Sequence, residues 1–290
     1  MKKLKTILFL DGSNISKYLL NQIKKNKIFK VNLIVLSPEN KKKVKNILNL
    51  GFKTLYLSFK RENDLDKIKD KFDIGFSYYN YKVPGSILKK IKIGGINFHP
   101  SYLPFNRSRH SAFWSIIDDN PAGATSHWMN DKFDDGPIFF QKKIIKKEFI
   151  NAKELYEKQL MTLKYVIRRT LQYVIKNEFI KKNQNKNKIT FHSKKDILKK
   201  ISFNLKDKIL NEHLIKIILG TTFDKSTGFY IKNKKKYLIN STYKIKKQKK
   251  KIAQHYLNFS ELFKLFPKKR RYINNIYYKN FLFKLYSKIT

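Results

Sequence analysis

The chain has no cysteine. That excludes disulfides, thiol nucleophiles and thiolate metal sites. Acidic residues are scarce, 21 Asp and Glu against 65 Lys and Arg, which gives a formal net charge of +44. Arginine is rare among the bases, at only 7 positions. Long apolar runs are missing as well: nothing approaches the roughly 20 residues that a membrane-spanning helix needs. The first apolar run, Thr6-Ile7-Leu8-Phe9-Leu10, ends at Asp11 with no small-residue cleavage site after it. It reads as a buried strand, not a signal peptide. These absences point to a cytoplasmic protein with no membrane partner.

An excess of positive charge of this size has two readings. One is a nucleic-acid partner drawn by counterion release. The other is codon bias, because Lys, Ile and Asn dominate and all three have AT-rich codons. The lysines are spread over nearly every segment and gather on no single helix face, which favours bias. Either way the charge attracts anionic ligands.

Strand and helix patterns alternate through the first half. Thr6–Leu10, Val31–Leu36, Lys53–Leu57 and Phe72–Ser77 read as short apolar strands. Ser13–Lys25, Asn40–Asn49 and Glu62–Lys69 read as the helices between them. Such alternation predicts an α/β fold with a Rossmann-like, mostly parallel sheet. The first strand-to-helix turn, Asp11-Gly12-Ser13-Asn14, suits a helix cap or a phosphate site at the helix N-terminus. Ala152–Lys176 carries a helical apolar stripe of Leu155, Leu160, Leu163, Val166, Ile167 and Leu171. Residues 181–188 are polar and low in complexity, a linker or exposed loop. Beyond them, Asn211–Leu219 suggests a helix, and Gly228–Lys232 with Tyr237–Asn240 a hairpin. Aromatic residues recur among lysines from Phe259 to Tyr286, a pattern shared by single-strand nucleic-acid binders and by amphipathic packing helices. The expected domains are 1–180 and a smaller α+β C-terminal domain, 189–290.

The chemistry concentrates between residues 97 and 137. Gly94-Gly95-Ile96-Asn97-Phe98-His99 reads as a strand entered through glycines and stopped at Pro100. Asn97 and His99 share one face of it, about 7 Å apart. An amide beside an imidazole at a strand end is suited to oxyanion stabilisation and proton handling. Pro100 and Pro104 bracket a turn that leads into Asn106-Arg107-Ser108-Arg109-His110, a fixed loop of polar and basic groups. Gly123–Met129 reads as another strand, with His127 packed or hydrogen-bonded within it. Asp134, in the turn that follows, could hold an imidazole in one tautomer or raise its pKa. A metal held by His99, His127 and Asp134 matches no compact ligand spacing, so none is expected.

Three segments in register carry a resemblance: Asn97-Phe98-His99-Pro100-Ser101-Tyr102-Leu103-Pro104, then Gly123-Ala124-Thr125-Ser126-His127, then Asp134-Asp135-Gly136. They resemble the N-x-H-P-S-x-L-P, G-x-T-x-H and D-x-G segments of the folate-dependent formyltransferases. The resemblance implies that residues 1–180 form the catalytic domain. It implies Asn97, His99 and Asp134 as the catalytic trio and N10-formyltetrahydrofolate as co-substrate. It implies that Tyr79, Tyr81, Lys82, Val83, Leu103 and Arg107 border the folate. Gly12-Ser13-Asn14 resembles the phosphate loop of the glycinamide ribonucleotide enzymes. Two departures stand out: Ser108 replaces the usual glycine after the loop arginine, and Asp135 stands where Thr or Gly is common.

The acceptor is the finer question. The N-terminal loop lacks the G-T-x-x-F pattern of the methionyl-tRNA enzymes. Asn106–Trp114 resembles sugar formyltransferase variants, which implies His110 and Trp114 on the acceptor side. So do the segments around His213, Gly228–Tyr230 and Lys234–Tyr237. The expectation is formyl transfer to a nucleotide-linked amino sugar, in polysaccharide biosynthesis. Methionyl-tRNA is the alternative acceptor, and a basic nucleic-acid-binding protein without catalysis is the third reading. The second domain is expected to supply either homodimer contacts or a wall of the sugar-nucleotide pocket.

Overall fold

The computed structural model describes residues 3–39, 51–147, 150–192, 196, 202–204, 216–217, 219–220, 228–232 and 235–239. The main sheet has seven strands: β1 (Leu4–Leu10), β2 (Phe29–Leu36), β3 (Thr54–Tyr56), β4 (Phe72–Tyr78), β5 (Ile91–His99), β7 (Ala122–Trp128) and β8 (Ile138–Ile144). A two-residue strand, β6 (Arg107–Ser108), lies outside it. The order is β3-β2-β1-β4-β5-β7-β8. Pairs among β1 to β5 are parallel; β5 with β7 and β7 with β8 are antiparallel. The expected mostly parallel sheet is therefore present.

Alternation along the strands sends Leu8, Leu10, Ile74, Phe76, Ile96 and Phe98 to one face. There they pack with Leu19, Leu20 and Ile23 of the first helix (Asn14–Lys24) and with Leu163, Val166, Ile167 and Leu171 of the long helix Ala152–Ile175. Ile7, Phe9, Leu33 and Val35 pack on the opposite face with Val83 and Ile87. Both faces are covered, which is why the strands read as continuous apolar runs.

Two local expectations change. The segment expected as a helix over Glu62–Lys69 forms only a 3-10 turn at Glu62–Asp64. The buried Asp64 carboxylate reaches back to the backbone N–H groups of Ser58 and Phe59, so its side chain closes a local turn instead of facing solvent on a helix. β5 begins three residues before the glycines, pairing with β4 from Ile91; the Trp128 ring lies over Gly94, where a Cβ would come within 2.8 Å. Residues 181–188 form an exposed loop except at Gln184, which is buried, and the loop is tied down where Lys182 pairs with Ile138.

The strand Gly228–Lys232 pairs antiparallel with Lys235–Ile239, so the expected hairpin forms with its second strand two residues earlier. Ser202–Asn204 adds a parallel strand beside it. Asn40–Asn49 and Phe259–Tyr286 lie outside the described residues, as does most of Asn211–Leu219. By compactness the chain divides into two units. One comprises Met1–Ser108, Pro121–Ile144 and Lys158–Phe191; the other comprises Arg109–Asn120, Ile145–Glu157 and His192–Thr290.

Candidate active site

Asn97 and His99 stand at the C-terminal end of β5, where open α/β sheets place their ligand sites. Antiparallel pairing sets Asn97 opposite His127 and His99 opposite Thr125. Directly paired residues share a face, so all four side chains emerge together. Thr125 Oγ1 donates to the Ser101 carbonyl and accepts from the Leu103 N–H, which fastens the loop after β5. Asp134 completes the cluster from the β7–β8 turn.

The trio expected from the sequence comes together. Asp134 Oδ2 lies 3.7 Å from His99 Nδ1, and Asp134 Oδ1 lies 3.3 Å from both His127 Nε2 and Asn97 Nδ2. Asn97 Nδ2 is also 3.1 Å from His127 Nε2. The backbone N–H of Ser108 donates to Asp134 Oδ2 at 2.9 Å. His99 Nε2 faces the Asn106 carbonyl at 3.3 Å, and His127 Nδ1 faces the Trp128 carbonyl at 2.9 Å. A carbonyl only accepts, so each ring carries its hydrogen on that nitrogen. The Nδ1 of a neutral His99 is then the site that takes up a proton, beside Asp134.

Burial lowers the pKa of His99, while the Asp134 carboxylate pulls it back up. The ring is therefore neutral at pH 7. Burial works against ionisation of Asp134, but the two histidines and the Ser108 N–H outweigh it and hold the carboxyl below the usual carboxylate range. The result is a neutral imidazole next to a fixed anion, an arrangement suited to general-base chemistry.

Backbone strain gathers at this site. Asn106, Ser108 and Asp134 all have positive φ, at 55°, 78° and 50°. Ser108 thus takes the left-handed conformation that glycine would supply without strain, and its N–H still reaches Asp134. Gly136 cannot be replaced freely, since a Cβ there would lie 1.8 Å from the Trp128 carbonyl oxygen.

The other candidates are placed as follows. Leu103 is buried in the loop after β5. Arg107 is buried too; its guanidinium meets Gln184 Oε1 at 2.8 Å and the Asp135 carboxylate. Arg107 holds the Asp135 carboxyl below its ordinary pKa against the effect of burial. Ser77 pairs with Asn97 across β4 and β5, so residues 79–83 leave the sheet from the strand next to the trio. There the Tyr79 ring contacts Phe9, Phe59 and Tyr81, its hydroxyl donates to the Leu57 carbonyl, and burial pushes its phenol pKa up. Tyr81 donates to Glu39 at 2.7 Å, Lys82 is exposed, and Val83 belongs to the second core cluster.

Ser13 caps the first helix, accepting from the Ser16 N–H at 3.4 Å, and Gly12 takes φ 81°. Asp11 Oδ1 receives the Ser13 N–H and the Ser16 hydroxyl, so a carboxylate occupies two of the donors that a phosphate would use. Asn14 is exposed at the start of that helix. His110 and Trp114 belong to the second unit. Trp114 is 1% exposed, its ring stacked on His192 at 3.6 Å between centroids. His127, Asn106 and Gln184 join the site as well. The G-x-T-x-H spacing is a signal for His127; nothing in the polar run marks Gln184.

The fold is a doubly wound α/β sheet, with a cluster of Asn97, His99, His127 and Asp134 at its carboxyl edge. Residues 74–166 match the family model described as formyl transferase. The chain is 37% identical over 84 residues to GDP-perosamine N-formyltransferase of Brucella melitensis, a match covering 29% of this chain and 32% of that protein. The chain spans about a third or less of the curated relatives it matches first. Its fold is similar to a sugar N-formyltransferase from Shewanella sp. (TM-score 0.69, 21% identity, 84% of this chain and 99% of that one). It is also similar to the N-formyltransferase from Helicobacter canadensis, solved with folinic acid and dTDP-3-aminofucose (TM-score 0.61, 20% identity, 88% and 94%).

Among the described residues, no group of His, Cys, Asp or Glu is placed to hold a metal ion. No described helix is long and apolar enough to cross a membrane.

Proposed function

We propose that the chain transfers a formyl group from N10-formyltetrahydrofolate to the amine of a nucleotide-linked amino sugar. The observation that carries this is the Asn97, His99 and Asp134 cluster, with His99 held neutral beside an ionised Asp134. The sugar acceptor is supported by the names of the relatives, GDP-perosamine N-formyltransferase above all.

In this reading the amine nitrogen attacks the formyl carbon, and the carbonyl electrons move onto oxygen. That oxyanion needs a donor, and the Asn97 amide is the member of the cluster that can supply one. Its Nδ2 is turned toward Asp134 and His127 here, so the substrate must displace one of those contacts to use it. His99 accepts the proton that the amine loses, and Asp134 stabilises the resulting imidazolium. Collapse of the intermediate breaks the bond to N10 of the folate, which leaves with a proton. Leu103, on the loop after β5, and the 79–83 segment on the neighbouring strand border the folate. Gly12–Asn14 faces the acceptor in this proposal; His110 and Trp114 are not carried into it.

The proposal keeps residues 1–180 as the catalytic domain and 189–290 as the small domain. It includes a cytoplasmic setting and a homodimer, the latter checked by mass in solution. The test is an acceptor screen with N10-formyltetrahydrofolate, comparing nucleotide-linked 3- and 4-amino sugars with methionyl-tRNA. Formylation of an amino sugar, lost by about 10² or more in His99→Ala and Asp134→Asn, is the expected result. Formylation of methionyl-tRNA alone would overturn the acceptor. Full turnover in either variant would overturn the trio.

A further inference from the structure

The segment after the long helix is stitched to the site at several points. The Ile180 carbonyl accepts from the Trp128 indole at 2.8 Å, and Lys182 exchanges two backbone hydrogen bonds with Ile138. Thr190 Oγ1 accepts from the Asn106 N–H at 2.7 Å, and the Thr190 carbonyl accepts from the Arg107 N–H at 2.9 Å. Between these points Gln184 turns inward and is 9% exposed. Its Nε2 donates to the carbonyls of Asp134 and Gly136, both at 2.8 Å. Its Oε1 accepts from Arg107 at Nη2 (2.8 Å) and Nε (3.3 Å). Arg107 in turn pairs with Asp135, which also accepts from Asn130 at 3.3 Å.

Gln184 thus spans the two pieces of backbone that fix the His99–Asp134 geometry. One is the 106–108 loop, whose Asn106 carbonyl faces His99 and whose Ser108 N–H binds Asp134. The other is the 134–136 turn, which carries the carboxylate. Both contain residues in left-handed conformations, which persist only when their surroundings over-determine them. A buried amide with both its oxygen and its nitrogen engaged meets that requirement.

We infer that Gln184 is a positioning residue: with Arg107 it clasps the Asp134 turn to the 106–108 loop and so sets the distance between the Asp134 carboxylate and His99. This rests on the reading of His99 and Asp134 as a working pair. Asp135, the departure from the commoner Thr or Gly, has a role in this arrangement, because it holds the other side of the Arg107 guanidinium. The groups that face the His99 ring are Asp134 and His127, with the Asn106 carbonyl on Nε2.

The experiment uses the full chain and three variants: Gln184→Met, Gln184→Asn, and Gln184→Met combined with Asp134→Asn. Methionine keeps the length and loses the hydrogen bonds. Asparagine keeps the amide but is one carbon too short to span both carbonyls, and it serves as the milder variant if methionine does not fold. Two readouts are taken. One is kcat and KM for formyl transfer; the other is the NMR titration of the His99 ring, assigned against His99→Gln.

Gln184→Met should lower kcat about 10-fold or more, with KM for the folate little changed, since a misplacement near 1 Å costs up to about 10² in rate. The His99 midpoint should fall, because the carboxylate that raises it has moved away. Adding Gln184→Met to Asp134→Asn should cost little more, because Gln184 acts through that side chain. An unchanged His99 midpoint in folded Gln184→Met or Gln184→Asn would overturn the clasp. So would fully multiplicative losses in the double variant, or a loss confined to KM. If no acceptor is formylated by the wild-type chain, the functional reading fails, and the titration alone still decides the clasp.

Discussion

Asn97 and His127 are direct partners in the antiparallel pairing of β5 and β7, and their side chains meet at 3.1 Å. His127 also lies 3.3 Å from Asp134, so its ring contacts two members of the trio, which touch each other as well. His127→Ala should therefore lower turnover about 10-fold or more, because Asn97 and Asp134 both lose the ring that helps to orient them. The variant's kcat, taken with its melting temperature, checks this. Normal kcat in a well-folded variant would leave His127 as packing only.

Ser108 takes φ 78° where a glycine would be unstrained. The left-handed conformation costs an L residue about 1–2 kcal/mol. Glycine recovers part of that and loses some to unfolded-chain entropy. Ser108→Gly should raise stability by about 0.5–1 kcal/mol and leave the N–H bond to Asp134 in place. A denaturant midpoint measured for both proteins checks the sign. A fall in stability would mean that the Ser108 side chain contributes more than its backbone costs.

Much of the sheet was legible because strands buried on both faces are short apolar runs, as at Thr6–Leu10 and Val31–Leu36. The trio was legible through the resemblance that the three segments carry; the residues alone put only Asn97 and His99 on one face of a strand. Glu62–Lys69 misled because a buried carboxylate at Asp64 turned the backbone, and helical composition does not reveal where a side chain bonds. Gln184 was hidden for a related reason. A single glutamine in a polar run carries no periodicity, and its burial depends on carbonyls some fifty residues away in sequence. The register that joins Asn97 to His127 is likewise a tertiary fact, set by β7 returning antiparallel.

Asp134 makes stability depend on acid pH. Its pKa is held below the ordinary value of 3.8, so its folded-state interactions stabilise the chain above that pH. The contribution is lost as pH falls from about 3.8 through the lower folded value. His99 works in the same direction over a different range: its folded pKa is below 6.5, so stability declines as pH falls from 6.5 toward that value. Asp134→Asn should be less stable than wild type at pH 7 and should lose less stability below pH 4. Denaturant midpoints across pH 3 to 7 test this, and parallel curves for the two proteins would contradict it.

The +44 charge predicts nonspecific attraction to RNA and nothing sharper. Dispersed lysines neutralise phosphates without reading bases. Binding measured against salt should weaken steeply and show no preference between methionyl-tRNA and an unrelated RNA of equal length. Tight, selective tRNA binding at physiological salt would favour the alternative acceptor.

The last expectation joins the site to the acceptor. Only a neutral amine has a lone pair for attack, so kcat/KM should fall as the acceptor's amine is protonated. A second limb should report His99, whose neutral form accepts the proton. Burial sets that limb below the ordinary histidine value of 6.5, while the Asp134 carboxylate keeps it from falling further. The two limbs separate by substitution. A less basic amino sugar should move the first and leave the second. Asp134→Asn should move the second to lower pH and leave the first, at a reduced rate throughout. Profiles of kcat/KM for two acceptors and both proteins provide the four curves needed. If Asp134→Asn lowers the rate without moving either limb, the carboxylate does not act through His99. If it moves the limb upward, burial and not charge dominates the change.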